Sequence, residues 1–170
     1  MEWPALERPK AVWHRNHAPD AALDHIASEP RFWINADQKW PKSSLGDHKL
    51  PACAIRDIAT TAARLLLDPS WTGHWHVAVL GPEDLSFNDM AWVMSEVLGK
   101  PVRYQQIPFE AYKARFTGFG MSEAMAQGMT DMAAAKDQGL DNAEPRTPEN
   151  TTPTSFRQWC EEELKPVVIG

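Results

Sequence analysis

The sequence predicts an α/β fold, on three observations. From Gly46 onward, short apolar runs alternate with stretches of helical period. Glycine and proline fall between these runs, where turns are needed. Residues that cap helices stand at the junctions, so strand follows helix in a regular order.

The elements follow in sequence. Lys49 to Ile55 reads as a strand interrupted by Pro51, and Asp57 to Leu67 as an amphipathic helix with Ile58, Ala62, Leu65 and Leu66 on its apolar side. Pro69 ends it by biasing Asp68 away from helical geometry. Gly73 then starts a turn into a short apolar strand, His76 to Leu80. Ser86-Phe87-Asn88-Asp89 is a variant of the capping box, with Ser86 accepting from the Asp89 N–H, and Gly99 closes that helix as a left-handed C-cap. Val102 to Ile107 is the next strand, and two helices broken near Gly118 and Gly120 fill the span from Phe109 to Gly139. Asn142 to Pro153, rich in Pro, Thr and Asn, is a surface loop. Thr154 caps a last helix with Phe156, Trp159, Cys160 and Leu164 on one face.

Two regions are expected: an N-terminal arm, 1–45, and a regular body, 46–170. The arm carries four of the eight tryptophans and five of the fourteen prolines but no sustained period. Its best helical candidate is Asp20 to Ala27, with Asp20 as N-cap and Ala22, Leu23, Ile26 and Ala27 apolar. The arm is either a foreign leader from an altered gene start or a diverged piece of a longer fold. Bulky Trp and Pro without pattern favours the leader.

Composition narrows the class. With 43% hydrophobic and 24% charged residues, the 170-residue chain can bury one core. No apolar run of eighteen residues crosses a membrane and no signal pattern opens the chain, so cytoplasmic residence is the expectation. Acidic and basic residues balance in the arm, six against six, while the body holds seventeen acidic against eleven basic, an excess that argues against a nucleic-acid surface. Cys53 and Cys160 lie far apart without metal-ligand spacing, and structural thiols are expected.

Four phrases, Gly46-Asp47-His48-Lys49-Leu50-Pro51, Arg56-Asp57-Ile58-Ala59, Leu80-Gly81-Pro82-Glu83-Asp84-Leu85-Ser86 and Leu98-Gly99-Lys100-Pro101-Val102, carry a family resemblance by their order and spacing. From Gly46 to its C-terminus the chain resembles the NmrA-like family of atypical short-chain dehydrogenase/reductase proteins, in the part that follows their dinucleotide-binding core. The resemblance implies an incomplete Rossmann-like fold, its C-terminal, substrate-side part. It also implies kinship with NAD(P)H-dependent oxidoreductases of quinone-like or small carbonyl substrates, and NAD(P) as the cofactor of the intact family. Members normally open with a strand, a glycine-rich turn and a helix that cradle the pyrophosphate. Here the first glycine is Gly46, and no G-x-x-G-x-x-G is present. The Tyr-x-x-x-Lys pair of typical dehydrogenases is absent as well, since Tyr104 is followed four positions on by Pro108 and Tyr112 by Phe116. No catalytic, cofactor-binding or metal residue is therefore assigned, and the chain alone is expected neither to bind the dinucleotide nor to turn over.

One series stands out as a candidate for substrate or partner contact. Met121, Met125, Met129 and Met132 recur at four, four and three residues, which places them on one side of a helix. They either line a pocket for a flat apolar substrate or grip a partner helix, since Met is adaptable, or form an ordinary core stripe, the commoner meaning of such a period. His74 and His76 lack a third metal ligand at sensible spacing. Asp57, at a strand-to-helix junction, is expected to be an N-cap, Asp47-His48-Lys49 a solvated turn, and Glu161-Glu162-Glu163 a wet face offset by Lys165.

Three functions remain open: the substrate-side portion of an NAD(P)H-dependent oxidoreductase, inactive alone; a redox-linked regulatory or protein-interaction module; or a truncated gene product with no function. A small-molecule substrate or a protein partner fits the first two, and the oligomeric state is left open. An incomplete α/β unit is also expected to leave sheet edges and helix faces uncovered.

Overall fold

The computed structural model describes residues 39–42, 44–74 and 76–169. The helix expected over Asp20 to Ala27 lies outside them. Strand β1 (Lys39–Lys42) pairs in parallel with β4 (Arg103–Gln106), Lys39 opposite Arg103 and Lys42 opposite Gln106. Strand β2 (Lys49–Leu50) runs antiparallel to β3 (Leu85–Ser86). The strand expected over Val102 to Ile107 is thus observed at its centre, and that over Lys49 to Ile55 stops before Pro51, which has no N–H to give a ladder.

Of the strand expected over His76 to Leu80, only Leu80 pairs among the described residues. It makes a parallel bridge to Thr151, with its N–H donating to the Asn150 carbonyl at 2.8 Å and its own carbonyl accepting from Thr152 at 2.8 Å. Among the described residues the run meets the 150–152 loop at Leu80. Gly81 follows because the chain passes so close to its neighbour that a Cβ there would stand 1.8 Å from the Ala52 carbonyl oxygen.

Helix α1 (Ile55–Leu67) begins two residues before the expected start, and its N-cap is Ala54 without a side-chain bond. Helix α2 (Phe87–Leu98) is set by local chemistry. Ser86 accepts from the Asp89 N–H at 3.1 Å, Asp89 accepts from the Ser86 N–H at 3.0 Å, and Gly99 closes the helix at φ 64°. Both were legible from four residues and a glycine. Helices α3 (Phe109–Gly118) and α4 (Glu123–Asp137) flank Gly120, whose φ of 86° breaks them.

The last helix is capped by Ser155, which accepts from the Gln158 N–H at 3.1 Å, and not by Thr154. It runs as α5 (Phe156–Trp159), a π-helical stretch Cys160–Leu164, and α6 (Lys165–Ile169). Pro166 accounts for the widening: it lacks an N–H and its ring crowds the carbonyl four residues back. The Lys165 N–H accordingly reaches five residues back to the Cys160 carbonyl. The face expected from the sequence holds, for Phe156, Trp159, Cys160 and Leu164 are all buried.

These four pack with Phe87, Met90, Met94, Leu50 and Trp40 in one core. Cys53 and Cys160 are buried thiols not joined in a disulfide, as structural cysteines should be, and burial pushes the Cys160 thiol far above its ordinary value.

Candidate functional site

The methionines rest on a helical hairpin. On α3, Tyr112 and Phe116 turn inward and meet edge to face at 4.8 Å. Lys113 reaches Glu123 at 2.9 Å, fastening α3 to the first turn of α4, and Ser122 caps α4 by accepting from the Met125 N–H. The residues of α4 that reach the core are Ala126, Thr130, Ala133 and Lys136, mostly small, so the two helices lie close.

The methionine series sits one position off this stripe, about 100° around the helix from it at each step. Met121 precedes the Ser122 cap, so three of the four belong to the helix itself. Met121 and Met129 are half-buried and pack against the core, Met132 is half-buried, and Met125 is 59% exposed. None is fully buried. The result is a flank of flexible, polarizable side chains between core and solvent.

Beneath the C-terminal end of α4 lies a polar and aromatic base that the sequence reading missed. Trp40 and Lys42 stand two apart on β1, hence on one face, and both are buried. The Lys42 ammonium lies 5.5 Å from the Trp40 ring centre and 5.2 Å from that of Phe87. Tyr104 stacks on Phe87 at 5.2 Å and meets Trp40 edge-on at 5.9 Å. Burial first, and then the Asp137 charge, push the Tyr104 phenol far above its ordinary value, so it remains a donor, here to the Ser44 carbonyl. Asp137 accepts from the Leu45 N–H at 2.9 Å. Beside it, Lys136 lies 2.9 Å from the Asp141 carboxylate with both side chains buried. The two form a buried ion pair. The alternation Trp-x-Lys was the available signal, hidden in a segment read as patternless.

The remaining candidates separate. Asp57 is not an N-cap. It sits inside the first turn of α1, buried, and its two carboxylate oxygens accept from the Thr154 N–H at 3.1 Å and the Thr154 hydroxyl at 3.0 Å. It thereby anchors the chain just before α5. His76 points to Glu144 at 3.1 Å, and Asp47 accepts from the Asn88 amide at 2.8 Å. The glutamate run is offset by Arg56, 2.6 Å from Glu162, and not by Lys165. A cleft of about 390 Å3 runs between α1 and the 148–153 loop, lined by Asp57, Thr61, Arg64 and Asn150. Its one buried carboxylate is already bonded to Thr154.

A nicotinamide coenzyme needs a glycine-rich turn opening a helix, so that backbone N–H groups meet the pyrophosphate. The described helices do not supply it. The chain enters α1 through Pro51-Ala52-Cys53-Ala54, and the N-terminus of α2 is occupied by its own capping box. The four positive-φ glycines, Gly73, Gly99, Gly120 and Gly139, lie in turns and helix ends, not between a strand and a helix start. Among the described residues, then, no glycine-rich turn opens a helix in the way the pyrophosphate group needs.

The arrangement of short strands and helices is similar to about half of the fold of solved NADPH-dependent reductases. An NADPH-dependent quinone oxidoreductase from Escherichia coli matches with a TM-score of 0.65 at 17% identity, covering 81% of this chain and 50% of that one. The triphenylmethane reductase of Citrobacter sp., solved with NADP(H), matches with a TM-score of 0.61 at 19% identity, covering 86% and 49%. The chain belongs to the NmrA-like family, whose model matches residues 33–160. The match begins ahead of Gly46 and so takes in β1. Among named relatives, the NAD(P)H azoreductase of Xenophilus azovorans is 39% identical over 92 residues, 53% of this chain and 31% of the azoreductase. The chain thus spans about half the length of the solved relatives and less of the azoreductase.

Proposed function

We propose that the chain provides the substrate-side half of an NAD(P)H-dependent oxidoreductase, and that by itself it neither holds the coenzyme nor turns over. The observation that carries this reading is a family match across 33–160 in a sequence with no glycine-rich phosphate turn. Its relatives include an azoreductase, a quinone oxidoreductase and a triphenylmethane reductase, names that point to conjugated or aromatic substrates. In this reading the methionine flank of α4 is where such a ring system lies. Thioether sulfur favours aromatic contact, and unbranched side chains adapt to rings of different outline.

Fluorescence titration of the full chain with a water-soluble naphthoquinone tests this. Saturable binding is expected, weakened roughly three- to tenfold by Met125→Ala or Met129→Ala, the loss of a sulfur–aromatic contact. Binding unaffected by both changes, or no binding, would reject the assignment. A second reading, a protein-interaction module, is favoured by one observation: Leu66 and Leu67 at the end of α1 are 72% and 83% exposed, although Ile58, Ala62 and Leu65 of the same helix are half-buried.

A further inference from the structure

Helix α4 carries a glycine in its interior, Gly128, where helix propensity disfavours it and no neighbour demands it: a Cβ built there would meet nothing within 4 Å. What the missing side chain uncovers is Met125. Side chains on a helix lean toward its N-terminus, so each is shaded by the residues three and four positions on. Met129 is shaded by Met132 and Ala133, whereas Met125 has Met129 and an empty position. Met125 is accordingly 59% exposed, the one exposed methionine among the described residues. Met121, Met129 and Met132 are half-buried, and Met90 and Met94 are 2% and 0% exposed.

A thioether open to solvent is open to oxidants as well. The thiols do not compete for them, since Cys53 and Cys160 are buried and burial holds Cys160 as the thiol in place of the reactive thiolate. We propose that Met125 is a redox modification site, at which a hydroperoxide closes the methionine flank to flat aromatic rings. The sulfur gives up two electrons and takes one oxygen atom, forming the sulfoxide, and hydrogen peroxide leaves as water. The product side chain is polar, and its sulfur no longer makes the thioether contact with a ring. This inference rests on the substrate-side reading and names how that same site is regulated. In that reading a hydroquinone product supplies the oxidant: reoxidised in air, it hands two hydrogens to dioxygen, and hydrogen peroxide forms.

The full chain is treated with graded hydrogen peroxide, mapped by peptide mass spectrometry and titrated with the water-soluble naphthoquinone. Met125 is expected to oxidise at least about threefold faster than Met121, Met129 and Met132, with Met90 and Met94 last. Gly128→Leu, which suits a helix and shades the sulfur, should slow Met125 by about threefold or more. Affinity should fall roughly three- to tenfold as Met125 is converted and return on treatment with methionine sulfoxide reductases, whereas Met125→Leu should keep its own affinity through the same dose. Equal rates at the four flank methionines, or an affinity that outlasts Met125 oxidation, would overturn the proposal and leave the substrate-side reading intact. No binding by the untreated chain would reject that reading and this regulation of it together.

Discussion

Helices α1 and α2 are nearly equal in length, thirteen and twelve residues, yet they relate to the core in opposite ways. In α2 the apolar residues Phe87, Met90, Met94 and Val97 are buried, while the one buried residue of α1 is Asp57. Both sequences are amphipathic. Amphipathicity therefore says that a helix has an apolar face to cover, and says nothing of where the cover comes from.

The contrast has measurable consequences. The largest effect is expected in α2, where Met94→Ala empties a fully buried site and should cost about 2–5 kcal/mol in urea unfolding. An effect under 1 kcal/mol would mean that α2 is loosely packed. Next comes the single buried anchor of α1. Asp57→Ala removes both acceptors of Thr154 and should cost about 1–3 kcal/mol, with Asp57→Asn intermediate because it keeps one acceptor.

The cap of α2 contributes less. Ser86→Ala should cost about 1 kcal/mol, and its effect should depend on pH. Hydrogen bonds from Ser86 hold the Asp89 carboxyl below its ordinary value of 3.8. The folded state therefore binds the proton more weakly than the unfolded one. The stability this gives is present above pH 3.8 and lost as pH falls through the lower, folded value. Urea midpoints compared at neutral pH and near pH 3 should converge for the parent chain and Asp89→Asn; a constant gap would remove Asp89 from the account. The smallest effect belongs to the exposed end of α1. Leu66→Ala should change stability by no more than about 0.5 kcal/mol, and a cost near that of Met94→Ala would show that this end is covered after all.

What could be read from the sequence divides along the same line. The capping box of Ser86 and Asp89, the Gly99 terminus and the buried face of α5 with its π-helical extension depend on residues within a few positions of one another. Local pattern was enough to place them. Asp57 was read as a cap because its role is set by Thr154, 97 residues away. The apolar run ending at Leu80 was read as a strand because periodicity cannot reveal which segment will face it. Trp40 and Lys42 went unrecognised for the same reason, since β1 becomes a strand through β4, far along the chain. The methionines were expected on one side of a helix, and Met125, Met129 and Met132 lie on α4, but the core stripe proved to be the small residues Ala126, Thr130 and Ala133. Close helix packing selects for small volume, which a count of bulky apolar residues overlooks.

The proposed function depends on one reading, that this chain carries no backbone cradle for pyrophosphate. Isothermal titration of the full chain with NADPH tests it most directly. No saturable heat is predicted up to roughly millimolar coenzyme, a binding free energy weaker than about −4 kcal/mol. Saturable one-to-one uptake in the micromolar range would contradict it.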